Sequence, residues 1–401
     1  MRITDCEVLV VGNPPPGFGG RYFIFVKLGT DNGLVGWGEV YCATFGPRVV
    51  ARMIEDVVDR FLIGEEATSI EAAWRRVYSA GYGQRPDITL CAVLSGLEIA
   101  MWDIVGKAAD RPVWALLGGR VHERLRAYTY LYPGPDEGDD FYHDAERSAA
   151  AAAAAVAVDQ GFTAVKFDPA GDYSAFDPRQ PAQLSLERTE RFCRLIRDAV
   201  GNRADLLLGT HGQFTTSGAI RLARRLEPFD PLWLEEPTPP ELPEAMAAVA
   251  RATSIPIATG ERLSTKYEIG RVLAQQAASI IQINLGRCGG ILEGKKIAAL
   301  AETHYAQIAP HLYCGPIVGA ANIQLATCSP NFLILESIQN WGGFHAAILK
   351  RPIEFDAGWV IPPTEPGIGA EVDEAVARAN PYDGERLHLE MADHPIEEFG
   401  P

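Results

Sequence analysis

Six residues in the second half of the chain have the types and spacing to do chemistry together: His211, Glu235, Glu261, Asn284, His311 and Glu336. Each follows a short apolar run. Leu206-Leu207-Leu208 leads through Gly209-Thr210 to His211, Leu232-Trp233-Leu234 leads to Glu235, and Ile257-Ala258-Thr259-Gly260 leads to Glu261. Ile280-Ile281-Gln282-Ile283 leads to Asn284, Gln307-Ile308-Ala309-Pro310 to His311, and Phe332-Leu333-Ile334-Leu335 to Glu336. Carboxylates and imidazoles gathered in one cavity are costly to desolvate unless a cation or a substrate shares their charge. Imidazole can take a proton near neutral pH.

The spacing also names the elements that must position these residues. The runs recur roughly every 25 residues, the length of one strand, one helix and two short loops. They are apolar throughout and do not alternate, as expected of strands covered on both faces. Repeated right-handed βα units can close into a barrel whose strand ends converge on one mouth. The barrel is expected to begin near Arg126, with residues 127–131 as its first strand. Residues 163–167 form the next, ending Lys166-Phe167-Asp168. Between them, residues 148–158 carry a run of alanines that predicts an outer helix stopped by Gly161. Residues 136–144 read as a solvated acidic loop, and residues 169–184 as a long βα loop serving as a lid or an oligomer contact.

The ends of the chain do not follow this rhythm. Residues 22–28 and 34–39 flank Asp31-Asn32-Gly33, a hairpin signal. Helical patterns follow, the clearest over residues 89–108, and Leu116-Leu117-Gly118-Gly119 closes the unit. This predicts an α+β domain over residues 1–120, a barrel over 121–365, and a tail over 366–401 that returns to the first domain. The length suits such a pair of domains, and 47% apolar residues exclude disorder. The formal net charge of −16 argues against nucleic acid and anionic membrane as partners. No apolar run approaches a membrane span, and the N-terminus reads as a strand and not as a signal peptide. Seven widely spaced cysteines without a CxxC predict free thiols in a reducing cytoplasm. Cys288 and Cys314, just beyond two strand ends, are assigned to packing.

Taken together, these motifs resemble the enolase superfamily, within its mandelate racemase and muconate-lactonizing group, and most closely its sugar-acid dehydratases of the galactonate and mannonate type. The likeness spans nearly the whole chain. It is carried by Gly33-Leu34-Val35-Gly36-Trp37-Gly38-Glu39, Trp102-Asp103-Ile104-Val105-Gly106-Lys107, Glu235-Glu236-Pro237, Gly260-Glu261-Arg262, Cys288-Gly289-Gly290 and Ala309-Pro310-His311. The resemblance implies an α/β fold, a modified TIM barrel (β/α)7β under an α+β capping domain completed by the tail. It implies a lyase that removes the proton alpha to a carboxylate with the help of Mg²⁺, or Mn²⁺ in its place, and dehydrates a sugar acid to a 2-keto-3-deoxy acid. Glu235 and Glu261 match metal-ligand positions, His311 the base, and His211 the acid for the leaving hydroxide. Glu336 and Lys166 fall where the family contacts substrate or intermediate, and Asn284 and Asp168 are assigned to substrate binding. A homo-oligomer is expected. The pattern departs at two places. Gly209 stands where the family has a metal-binding Asp, so that His211 or water is expected to fill the vacancy. Asn284 stands where an Asp pairs with the base. A cycloisomerase, a racemase or epimerase, and a binding protein with a degraded metal site are the alternatives. Specificity is assigned to loops over residues 13–21 and 41–47.

Overall fold

The computed structural model describes residues 1–134, 137–157 and 160–397. Asp136 and Val158, which bound the expected acidic loop and the alanine-rich helix, lie outside them. The first elements are three antiparallel strands, β1 (Ile3–Gly12), β2 (Tyr22–Thr30) and β3 (Val35–Val40), with Gly33 in the turn at φ 82°. Helices α1 (Pro47–Phe61), α2 (Ile70–Tyr78), α3 (Ile88–Ala108) and the single turn α4 (Val113–Leu116) follow. Helix α3 lies directly on β3 because Gly38 has no side chain: a Cβ there would stand 1.8 Å from the Gly96 carbonyl oxygen. With 21 residues and few charges, α3 is long and apolar enough to cross a bilayer, a feature the run-length reading overlooked. Its faces are instead buried in the protein, and Asp87 caps its first turn by accepting from the Leu90 N–H.

Eight parallel strands then alternate with helices: β4 (Leu125–Tyr130), α5 (Ala145–Ala155), β5 (Ala164–Phe167), α6 (Gln183–Val200), β6 (Asp205–Gly209), α7 (Thr216–Leu226) and β7 (Trp233–Glu235). The second half runs α8 (Pro243–Ala250), β8 (Ile257–Thr259), α9 (Thr265–Ala274), β9 (Ile280–Ile281), α10 (Ile291–Thr303), β10 (Gln307–Ile308), α11 (Pro316–Thr327) and β11 (Leu335–Ser337). Each strand pairs with the next, β11 pairs with β4, and a bridge from Ile308 to Phe332 closes the ring. This is the modified (β/α)7β barrel. The last strand pairs with β4 over 335–337, two residues past the end of the apolar run 332–335, so Glu336 lies inside that ladder instead of at its end. Beyond it come α12 (Gly343–Ala347), the hairpin β12 (Phe355–Asp356) and β13 (Trp359–Val360), and α13 (Glu374–Ala379).

The barrel interior is filled by Tyr128, Ala164, Leu207, Trp233, Ala258, Ile280, Ala309 and Ile334, each from a different strand or, for Ala309 and Ile334, from the residue beside one. Side chains two residues further along a strand point to the same face. The layer above this apolar plug is therefore Tyr130, Lys166, Gly209, Glu235, Gly260, Gln282, His311 and Glu336, which is where the site forms.

Buried carboxylates of the first domain hold the barrel. Glu39 accepts from the N–H groups of Gly315 (2.5 Å) and Val318 (2.9 Å) at the start of α11. Glu98 accepts from Ile291 (2.6 Å) and Leu292 (2.8 Å) at the start of α10 and from Trp102 Nε1 (2.8 Å). Asp103 takes the Trp37 and Ile368 N–H groups, with Lys107 Nζ at 2.7 Å. Each satisfies helix-terminal or loop donors that would otherwise be orphaned. The tail closes the arrangement: Gly12 donates to the Asn380 carbonyl and Tyr382 to that of Val10. Glu98→Ala leaves three buried donors without an acceptor and is expected to destabilise the fold by about 2–5 kcal/mol, read as a lower urea midpoint. Glu98→Gln, which keeps one carbonyl acceptor, should recover part of the loss.

Candidate active site

The strand ends open into a cavity of about 1730 Å³, with Lys166, Asp168, His211, Glu261, His311 and Glu336 on its floor. Its walls include the first-domain loops around Asn13–Arg21 and Tyr41–Thr44 and the tail around His388. His388 is fully enclosed there, its ring nitrogens 2.9 Å from the Tyr22 carbonyl and 2.8 Å from that of Tyr313.

Lys166 organises the floor. Its ammonium donates to Glu235 Oε1 at 2.7 Å and stands 3.6 Å from Glu336 Oε1, almost wholly out of water. Burial disfavours its charge, but the carboxylates of Glu235 and Glu336 outweigh burial and hold its pKa well above the ordinary lysine value. It is a fixed cation. The other Glu235 oxygen accepts from Gln282 Nε2 (2.7 Å) and Trp233 Nε1 (3.1 Å). Burial raises Glu336 to about 7 despite Lys166, and its Oε2 accepts from the Leu312 N–H at 2.7 Å.

The two histidines differ in their partners. His211 sits in the left-handed region at φ 44°, uncommon for a residue with a side chain. Its Nδ1 lies 3.2 Å from Asp168 Oδ2, and the Tyr173 ring stacks on it at 4.7 Å between centroids. Burial lowers its pKa, but the adjacent Asp168 charge outweighs burial and raises it to about 9. His311 lies across the floor, with Nε2 3.2 Å from Glu261 Oε2 and 4.0 Å from Glu336 Oε2. Its Nδ1 receives a hydrogen bond from Asn284 Nδ2 at 2.9 Å. Burial first, and then the Lys166 charge, keep its pKa well below the ordinary value.

The vacancy at Gly209 is filled from the neighbouring strand. A Cβ at Gly209 would stand 2.1 Å from Asp168 Oδ1, so the Asp168 carboxylate occupies the room a side chain at 209 would need. Donor atoms of His211, Glu235 and Glu261 lie within 4.8 Å of one another. Glu261 Oε2, though buried, has no hydrogen-bond partner, and burial is outweighed by the nearby His211, Lys166 and Arg262 charges in keeping Glu261 ionised. A buried anionic oxygen without a donor, beside a second carboxylate, fits a divalent cation.

Seven of the eight residues singled out by sequence therefore gather around this floor, although Glu235 lies under Lys166 and is not itself exposed to the cavity. Asn284 stands behind His311, fully buried, and binds His311 and the Gly286 N–H. Cys288 and Cys314 are enclosed, and burial pushes both thiols well above their ordinary pKa. Sequence reasoning missed Gln282, Tyr130 and Tyr173. The first two could have been found from period-two spacing, two residues beyond Ile280 and Tyr128. Tyr173 sits in a loop with no such signal. Arg287, which covers the Tyr41 ring at 4.0 Å, was missed for the same reason.

Residues 18–118 match the family model described as the N-terminal domain of mandelate racemase/muconate lactonizing enzyme, and residues 148–376 match the one described as enolase C-terminal domain-like. A protein named D-galactonate dehydratase from Verminephrobacter eiseniae is 34% identical over 382 residues, covering 94% of this chain and 93% of that one. A solved structure from Labrenzia alexandrii, described as a mandelate racemase/muconate lactonizing enzyme, is 64% identical. It superimposes with a TM-score of 0.95 over 98% of this chain and 99% of that one. Another so described, from Burkholderia SAR-1, is 57% identical, with a TM-score of 0.98 over 100% and 99% of the two chains.

The Asp168–His211 pair gives a pH signature. A histidine whose folded pKa is raised from 6.5 to about 9 contributes stability that is complete below pH 6.5 and lost as pH rises through 9. Glu336, raised from 4.5 to about 7, has completed its own loss by then. Thermal midpoints of chelator-treated protein should therefore fall between pH 7 and 9, and Asp168→Asn should flatten that fall. An unchanged slope in the variant would remove the pairing.

Proposed function

Because the chain belongs to the mandelate racemase/muconate lactonizing enzyme family of the enolase superfamily, we propose that it is a lyase that dehydrates a sugar acid to its 2-keto-3-deoxy product. The observation that carries this reading is the pair of imidazoles, His211 and His311, each within 4.8 Å of one carboxylate, Glu261. Dehydration takes a proton from the carbon next to a carboxylate and gives one to the hydroxyl leaving the neighbouring carbon. A site for it needs two groups able to bond the substrate and handle protons within one small space.

Glu235 and Glu261 would hold the divalent cation, with His211 beside them, and the cation would stabilise the enediolate by neutralising charge on the substrate's carboxylate oxygens. Lys166 supplies a further fixed positive charge at the floor and, being held protonated, is no base. Glu336, which burial raises to about 7, can either donate to or accept from a substrate hydroxyl. The cavity is much larger than a single carboxylate needs, and its walls bring Tyr130, Tyr173 and Arg287 to the substrate, groups suited to a chain of hydroxyls. The sequence assignment gives abstraction to His311 and leaving-group protonation to His211.

Glu235→Gln and Glu261→Gln should each lose Mg²⁺ binding by calorimetry and lose turnover, with the native circular dichroism spectrum kept. A panel of sugar acids assayed for 2-keto product identifies the substrate. Wild-type turnover and metal content in both variants would remove the metal assignment, and no product from any sugar acid would remove the dehydratase reading.

A further inference from the structure

Tyr173 stacks on the His211 ring, and the loop that carries it has little packing of its own. Ala175 and Phe176 point into solvent, Phe176 with 61% of its surface exposed. The two flanks of the loop are tied to the barrel. Gln213 Nε2 donates to the Gly171 and Asp172 carbonyls, both at 2.7 Å, and the Arg179 N–H donates to the Gln213 carbonyl at 2.8 Å. Asp177 closes a turn within the loop by accepting from the Ser174 N–H at 2.8 Å. The middle, Tyr173 to Ala175, is bound by the end of the chain. The Ala392 N–H donates to the Tyr173 carbonyl at 3.3 Å, and the Ala175 N–H to the Ala392 carbonyl at 2.9 Å, which makes a short parallel bridge. The Ser174 hydroxyl, almost fully buried, donates to the His394 carbonyl at 2.6 Å.

The same stretch of tail is pinned to the first domain. His388, whose ring nitrogens face the Tyr22 and Tyr313 carbonyls, fills the space beside Gly20, where a Cβ would stand 2.0 Å from its Nε2. The rings of Tyr22, Tyr41 and Tyr313 meet it edge-on. Arg21 adds a second pin: its Nη1 donates to the Leu387 carbonyl at 2.6 Å, and its Nη2 stands 3.2 Å from Glu390 Oε2. Residues 387–393 all line the cavity. The tail therefore runs along the cavity from the first domain to the loop beside His211.

We infer that the C-terminal tail is a working part of the site: residues 387–394 strap the first domain to the loop over residues 171–177 and hold Tyr173 in place as a positioning residue for His211. This rests on the dehydratase reading, in which His211 meets the substrate. A loop with exposed backbone bonds and few apolar contacts opens locally at low free energy, so a few bonds to a pinned segment decide where it stands. His211 is set by two contacts, the Asp168 carboxylate at its Nδ1 and the Tyr173 ring against its plane. Without the second, the imidazole can turn about the first. A reacting group displaced by about 1 Å can lose about 10²-fold in rate. Tyr173 thus acts through His211, and the tail acts through Tyr173.

Two substitutions in the full chain release the strap from opposite ends. Ala392→Pro removes the N–H that bonds the Tyr173 carbonyl, and Arg21→Ala removes the pin on Leu387 and Glu390 without touching the loop. Hydrogen–deuterium exchange of the amides over residues 173–177 should accelerate by about 2–10-fold in each variant, with exchange in the barrel strands unchanged. Unchanged exchange over 173–177 in both variants would overturn the strap. With a sugar acid that is turned over, Tyr173→Ala should lower kcat by about 10–100-fold. Tyr173→Phe, which keeps the ring, should stay within about threefold of the wild type, and Ala392→Pro should lower kcat by less than Tyr173→Ala does. Wild-type kcat in Tyr173→Ala, or an equal loss in Tyr173→Phe, would overturn the positioning role. If no sugar acid is turned over, the dehydratase reading falls, and the exchange data alone still uphold or overturn the strap.

Discussion

The ammonium of Lys166 is the charge on which the barrel mouth depends. It is almost fully removed from water, with Glu235 at 2.7 Å and Glu336 at 3.6 Å. Each buried ion in such a cluster carries a desolvation penalty of several kcal/mol after relaxation, offset only by close partners and further hydrogen bonds. Gln282 and Trp233 supply those bonds to Glu235, and the Leu312 N–H supplies one to Glu336. Glu261 is the member left without one, which is why the cluster reads as unfinished. The apolar plug beneath it fixes the geometry, because Ala164, Trp233 and Ile334 set which face the residues two positions later must share.

The first domain contributes to this site at a distance. Its buried carboxylates Glu39 and Glu98 are inserted at the starts of the last two barrel helices, and α11 follows the His311 loop directly. A carboxylate at a helix N-terminus satisfies orphan N–H groups and opposes the positive end of the helix dipole. The two domains are thus joined by helix caps as well as by apolar contact. The loops that roof the cavity are carried on the same sheet as Glu39, so the roof and the floor are registered against each other.

Much of this was legible in the sequence because the barrel writes itself as a repeat. Unbroken apolar runs at a constant spacing gave the strands, and the polar residue after each run gave Glu235, Glu261, His311 and Glu336. The hairpin at Asp31-Asn32-Gly33 was legible from turn chemistry, and the helix over residues 89–108 from its apolar spacing. The errors have physical reasons. The last strand continues two residues past its most apolar run, because its pairing with β4 extends to Ser337. Helix α3 was undervalued as an apolar segment because Asp103 and Glu98 interrupt it, although Asp103 is paired with Lys107 and Glu98 accepts from backbone N–H groups. Tyr173 and Arg287 could not be found by periodicity, since loops place them. The position of the Asp168 carboxylate over Gly209 was illegible for another reason: it is a contact between adjacent strands that neither segment announces alone.

That contact constrains how such a protein can change by descent. With a Cβ at 209 only 2.1 Å from Asp168 Oδ1, side chains at 209 and an inward-facing carboxylate at 168 exclude each other. Neighbouring positions that share space show interaction energies of about 0.5–3 kcal/mol, of either sign. A lineage that carries acidic residues at both 209 and 168 must therefore turn the Asp168 side chain out of its present place. The effect of a substitution at 209 is then set by how freely the carboxylate at 168 can move, and the two positions change as a pair.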